Sequence, residues 1–232
     1  MNVYSLHIEK CGGTTVEFLL KEAFGDSYVA ASYGQPAFCE DASQKEFPDG
    51  SMFHGHYNFN AHLYHTRTVP IEYITVLREP ADRFVSHYYH AATRKDHHQF
   101  TVATGMSLTD YLVWAGGEAT KNLMTFRLSS MRFNGSNELD ALEQAWANLQ
   151  SCAVVGLVEH LDDYIEELCR RYQLTKPEDG KRNVGKRKQL HELDDNLIAK
   201  VREANNLDCE LYRRLIELLV KRNDTLLRNH HD

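Results

Sequence analysis

No window of this 232-residue sequence approaches the apolar length needed to cross a bilayer, which excludes a helical membrane span. The start of the chain lacks a basic segment, a long apolar run and a small-residue cleavage site, so no secretory leader is read there. Paired cysteine spacing is missing as well. The five cysteines, Cys11, Cys39, Cys152, Cys169 and Cys209, are odd in number with no C-x-x-C, which fits free thiols in a reducing compartment. There is no surplus of positive charge: the net charge of −7 argues against a surface built to grip nucleic acid, so any anion site must be local. Internal repeats, low-complexity tracts and heptads are absent, and so is the G-x-x-x-x-G-K-[ST] loop of nucleoside triphosphatases.

What is present is a chain of ordinary globular composition, 42% hydrophobic and 25% charged, short enough for one domain spanning residues 1–232. Residues 2–8 alternate and are rich in branched and aromatic side chains, predicting a strand; a glycine loop follows, then helical spacing through Val16, Leu19, Leu20 and Phe24. Further strands are expected over 28–33, 51–55, 73–77 and 152–159. Pro80 predicts a helix from about Ala81, and Ser107 with Asp110 reads as a capping pair opening another. Residues 192–219 read as two helices after a polar segment, TKPEDGKRNVGKRKQL. Strands alternating with helices indicate an α/β domain, a central, mainly parallel sheet flanked by helices, with a helix-rich C-terminal half and its site at the carboxyl ends of the strands.

Two stretches carry chemistry. In SLHIEKCGGTTVEFLL, a lysine precedes the glycines instead of following them. The N–H groups of Gly12, Gly13, Thr14 and Thr15 can converge on an anion at the positive end of a helix, with Lys10 adding charge from the strand side. A glycine turn with a capping threonine would read the same way. In LREPADRFVSHYY, Arg78 ends a strand and Ser86 lies in the second turn of the next helix, three residues after Arg83. An arginine fork suits phosphate, but an Arg78–Asp82 or Arg83–Glu79 surface pair would also account for it.

Together these stretches resemble the carbohydrate sulfotransferases that use 3′-phosphoadenosine-5′-phosphosulfate, the branch related to heparan sulfate 2-O-sulfotransferase. HIEKCGGTT is similar to that family's 5′-phosphosulfate loop, H-x-P-K-T-G-G-T-[ST], and LREPADRFVSHYY to its 3′-phosphate motif, R-[DE]-P-x-x-R-x-x-S-x-Y. The likeness continues through FHGHYNF, NLMTFRLSS, VVGLVEHLDDYIEEL and LDCELYRRLIELL. It implies a P-loop-like three-layer fold, with the 5′-phosphosulfate held by Lys10, Cys11, Gly12, Gly13, Thr14 and Thr15 and the 3′-phosphate by Arg78 and Ser86; Arg83 is assigned to structure. A late basic loop over the nucleotide is also implied, with Asn183, Lys186 and Arg187 as its residues, although a solvated charge run is the plainer reading of any one of them. Two positions depart from the pattern: Glu9 stands for proline and Cys11 for threonine. A carboxylate beside a phosphosulfate would repel it unless it points away or acts on an acceptor.

An unactivated hydroxyl needs a base, and histidine's ordinary value of about 6.5 suits proton abstraction near neutral pH. The resemblance makes His56 of FHGHYNF that base, with His54 as its support or an acceptor contact, and Lys10 the group that stabilises charge on the bridging oxygen. The competing metal reading gathers His54, His56, His62 and His65 around zinc; the transfer itself needs no metal, so none is expected. His90, His97 and His98 are expected to be solvated. The expected activity is sulfuryl transfer to a hydroxyl acceptor, a glycan or glycoconjugate, with a P-loop-like ATP-dependent kinase or a non-catalytic nucleotide-binding module as alternatives. A polyanionic acceptor would want a basic groove, to which Arg67, Arg94 and Lys95 could contribute; a neutral glycan, a lipid-linked sugar or a small hydroxyl compound fits the negative net charge equally well. A cytoplasmic, compact bacterial version of the family is expected, though the excised catalytic domain of a Golgi-anchored enzyme would look similar.

Overall fold

The structure, a computed structural model, describes residues 1–31, 47–64, 69–114, 121–176 and 187–229. Cys39, His65, Arg67, Asn183 and Lys186 lie outside the described residues, as do Ser32 and Tyr33 at the end of the expected second strand. Among the described residues a single five-stranded sheet forms, every pairing parallel, in the order β2-β3-β1-β4-β5. The strands are β1 (Asn2–Leu6), β2 (Tyr28–Ala30), β3 (Met52–Gly55), β4 (Ile71–Leu77) and β5 (Val154–Leu157).

β1 is central, and all five of its residues are buried, as a strand with neighbours on both edges and helices on both faces requires. Alternation decides which layer each residue joins. Tyr4 and Leu6 pack with Phe53, Tyr73 and Leu77 against α5 (Leu123–Ser129), α6 (Glu138–Ser151) and α9 (Asn206–Asn229). Val3 packs with Met52, Ile74 and Val154 against α1 (Gly13–Phe24) and α7 (Leu161–Tyr172). A third apolar cluster joins α2 (Pro80–Thr93), α3 (Phe100–Gly105), α4 (Leu108–Trp114) and α8 (Asp195–Ala204).

Most of the expected elements are present, with altered limits. β1 ends at Leu6 and not Ile8, because after the ladder bond from His7 N–H to Gly55 O the chain turns, with Cys11 N–H donating to Ile8 O at 3.1 Å. The late strand is shorter than 152–159: residues Val158–His160 curl into one 3₁₀ turn. Ser107 caps α4 as expected, its Oγ accepting from Asp110 N–H at 3.1 Å and donating to the Asp110 carboxylate at 2.6 Å. α3 and α5 have no counterpart in the sequence reading. The start of α5 is made by tertiary partners: the buried Asp208 accepts from Met124 N–H (3.1 Å), Thr125 N–H (2.8 Å) and Thr125 Oγ1 (2.8 Å), while Asn122 N–H donates to Asn205.

Arg83, fully buried, places its Nε 4.0 Å from the Asp208 carboxylate. The surface pair imagined with Glu79 therefore does not form; Glu79 accepts from Arg202 and Asp82 N–H instead. Arg83 is a structural cation, joining α2 to the start of α9.

Candidate active site

Because all strands are parallel, the carboxyl ends of β1, β3 and β4 open on one edge of the sheet, and the chemistry-bearing stretches leave from there. The loop after β1 is tight. Lys10 (φ 69°) and Gly12 (φ 72°) both adopt the left-handed region, which costs a lysine about 1–2 kcal/mol and a glycine little. The N–H groups of Gly13 and Thr14 then open α1 with no carbonyl one turn back to accept them.

Gly13 is required for a different reason. Its φ is not left-handed, but a Cβ built there would lie 1.7 Å from Nε2 of His7. The His7 ring covers the first residue of the helix and packs against His54 (stacked, centroids 5.1 Å apart) and His56 (tilted, 4.3 Å).

Three cations that are far apart in sequence meet beside this loop. Arg78 donates from Nη1 to the Lys10 carbonyl (2.9 Å) and grips Asp82 through Nε (2.8 Å) and Nη2 (2.6 Å). Arg187, at the end of the late basic segment, reaches the same carboxylate at 2.7 and 2.9 Å. The Arg78–Asp82 contact is thus real but mostly buried, and it serves as a brace for the loop. Burial first, and then the Arg78, Arg187 and Arg94 charges, hold the Lys10 ammonium below its ordinary value, as expected of a cation kept among cations until an anion arrives.

Cys11, expected as an N–H donor to the ligand, spends that N–H on Ile8 and buries its side chain, and burial pushes its thiol up to about 12. Thr14 is exposed and Thr15 half-buried, while Thr15 N–H bends back to the Gly12 carbonyl (3.2 Å). Ser86 is buried in α2, and no hydrogen bond or ion pair joins it to Lys10, Arg78 or Arg187.

His56 leaves β3 directly beside this loop. Its Nδ1 lies 2.8 Å from the His7 carbonyl. A carbonyl only accepts, so Nδ1 carries the hydrogen and the neutral ring has its lone pair on Nε2. His54 points into the protein. Only 4% of it is exposed, its Nδ1 is paired with Ser5 Oγ at 2.8 Å, and burial first, then the His56 and Lys21 charges, bring it down to about 4 despite Glu17. Its contacts are made inside the protein, with Ser5 and the His7 ring.

Glu9 does not face an anion. Arg127 of α5 grips both its oxygens, through Nη2 and, at 3.2 Å, through Nε, and also donates to Asn58 Oδ1 at 3.1 Å. Burial raises the Glu9 carboxyl, but hydrogen bonds and charge from Arg127 outweigh it, so the group sits below its ordinary value and stays ionised.

Among the described residues, which leave out His65, the zinc alternative is not assembled. His54 and His56 are held as described, and His62 bonds through Nδ1 to Tyr73 Oη at 3.0 Å. Among the described residues no group of three or more His, Cys, Asp or Glu side chains is placed to share one ion. His90 and His97 are not simply solvated, and only His98 is exposed. Both half-buried rings belong to a chain of contacts with His87 and His98, and burial first, then Lys10 and His97, brings His90 down to about 4.

Sequence reasoning missed His7 and Arg127, and it offered Asp82 only as a surface partner of Arg78. His7 and Arg127 stood inside stretches that carried the resemblance, and the period-two alternation of β1 places His7 on the same face as Ser5, the His54 partner.

A model of the sulfotransferase family matches residues 2–213 of this chain. A search of the curated proteins finds no significant match.

Proposed function

The chain belongs to the sulfotransferase family, and on that premise we propose that it transfers the sulfuryl group of 3′-phosphoadenosine-5′-phosphosulfate to a carbohydrate hydroxyl, with His56 as general base. One observation carries this reading: Lys10, Arg78 and Arg187, from three distant segments, converge beside the start of α1, while His56 directly follows the adjoining strand. The donor set fits an anion with two phosphate-bearing ends. Gly12, Gly13 and Thr14 with Lys10 offer backbone N–H groups and one ammonium, and Arg78 and Arg187 offer planar forks.

When bound, the donor nucleotide supplies a sulfuryl group on a good phosphate leaving group. The acceptor oxygen forms a bond to sulfur as the bond from sulfur to the bridging oxygen breaks, and the acceptor proton passes to His56 Nε2. Lys10 steadies the negative charge that develops on the departing phosphate, so that positioning and electrostatics supply the rate, as in phosphoryl transfer. His54 and His7, both held neutral by burial, keep the base in place without competing for the proton.

Donor selectivity and acceptor turnover test this reading. By calorimetry, 3′,5′-adenosine bisphosphate should bind without magnesium and ATP poorly. With labelled donor and a panel of neutral and anionic glycans, wild-type protein should give sulfated product, whereas His56→Ala should give none while binding the bisphosphate normally. Tight magnesium-dependent ATP binding would establish a kinase instead. Bisphosphate binding without product on any hydroxyl acceptor would establish a non-catalytic module.

A further inference from the structure

We propose that Glu9 is a positioning residue for the base: clamped by Arg127, its carboxylate stands beside Nδ1 of His56 and steadies the imidazolium formed when the ring takes the acceptor proton. The inference rests on the sulfuryl-transfer reading above.

The geometry supplies each part. Glu9 Oε1 lies 4.0 Å from His56 Nδ1, too far for a hydrogen bond and close enough for charge to act. The hydrogen on Nδ1 already goes to the His7 carbonyl, so orientation comes from the backbone and compensation of charge from the carboxylate. Glu9 is not itself placed to be the base, since Arg127 occupies both oxygens and is in turn fixed by Asn58.

The His7 ring at the end of β1 lies 4.3 Å from that of His56, His56 bears electrostatically on His7, His54 and Glu9, and the Lys10 and Arg127 charges act on the same His7 ring. Glu9 brings a carboxylate within ion-pair distance of the His56 ring.

The test measures kcat and KM against pH for wild-type, Glu9→Gln and Glu9→Asp proteins, alongside a ¹⁵N NMR titration of the His56 ring that needs no acceptor. Losing a partly screened charge at this distance should lower kcat about tenfold in Glu9→Gln, with KM changed less than about twofold. The acid limb of the rate profile and the midpoint of the ring titration should both move to lower pH, because the protonated ring has lost its counter-charge. Bisphosphate affinity should hold, and Glu9→Asp, which restores the charge, should bring the limb back towards wild type.

An unmoved limb and ring titration in Glu9→Gln overturn the proposal, as does Glu9→Asp behaving like Glu9→Gln, or a loss of bisphosphate affinity that marks Glu9 as a loop-shaping residue. Should Glu9→Gln not fold, Arg127→Gln leaves the carboxylate uncompensated beside the ring and must move the limb to higher pH; no movement overturns the proposal equally. Turnover surviving in His56→Ala would instead remove the base assignment, and the ring titration distinguishes that failure from this one.

Discussion

Adding one methyl group at Gly13 should disable the site without touching any charge. In Gly13→Ala the new Cβ would lie 1.7, 1.9 and 2.3 Å from three atoms of the His7 ring. Ring atoms at the end of a side chain can normally swing aside at little cost, but this ring is packed against His54 at 5.1 Å and His56 at 4.3 Å and is mostly buried. The clash must then be relieved by tilting the stack or shifting the start of α1. Overpacking of this kind costs about 1–3 kcal/mol. The alanine returns at most about 1 kcal/mol of helix propensity, and less at the first helical position. A net loss of about 1–2 kcal/mol lowers the thermal midpoint of a chain this size by about 2–8 °C.

The effect on turnover should be larger, because the residue displaced is also the one whose carbonyl orients His56. A misplacement of about 1 Å can cost about a hundredfold in rate. Thermal unfolding and turnover assays on Gly13→Ala, His7→Ala and the double variant check the reasoning. Removing the ring makes room for the methyl, so in the double variant the stability losses should fall short of their sum by about 0.5 kcal/mol or more. A Gly13→Ala protein with wild-type midpoint and kcat, or strictly additive losses, would refute the clash.

Two further outcomes follow from other parts of the molecule. Arg78→Ala removes both a phosphate fork and the brace on the Lys10 carbonyl, so bisphosphate affinity measured by calorimetry should fall about 10- to 100-fold, the range for a lost charge-assisted hydrogen bond; an unchanged affinity would take Arg78 out of the anion site. Stability should also decline with acid before the carboxylates titrate. His54 and His87, brought down by burial first to about 4 from an ordinary 6.5, stay neutral in the native state while the unfolded chain takes up protons. Their contribution is therefore complete above pH 6.5 and lost as pH falls towards 4, at no more than about 1.4 kcal/mol per pH unit each. Urea midpoints between pH 7.5 and 5 should show this fall, and His87→Gln, which keeps a polar group near Gln99, should flatten it; an identical slope in the variant would assign the loss elsewhere.

Features written in local pattern were legible in the sequence: the strand, loop and helix around Gly12, the proline-led start of α2, and the capping pair at Ser107. Features that depend on distant partners were not. Glu9 looked like a misplaced negative charge because the arginine that neutralises it lies 118 residues away. The fully buried Arg83 gave no sign of Asp208, and the short helix α5 starts where it does because Asp208 and Asn205 bind its first N–H groups. Gly13 could be read as a loop glycine, but the reason for it, a histidine six residues earlier folded back over the helix start, needed the path of the chain.

The sheet order has a consequence for what this protein can accept. β1, which launches the glycine loop, lies between β3, which His56 directly follows, and β4, which Arg78 directly follows. His56 and Arg78 therefore leave strands two interstrand steps apart, about 10 Å, in a hydrogen-bonded ladder whose spacing side-chain changes cannot alter. On the proposed reading the sheet acts as a ruler: a hydroxyl that gives its proton to His56 arrives over β3, on the far side of the loop from Arg78. Variation in acceptor size must then be absorbed by the segments that rise above β3, leaving the distance between the two ends of the reaction fixed.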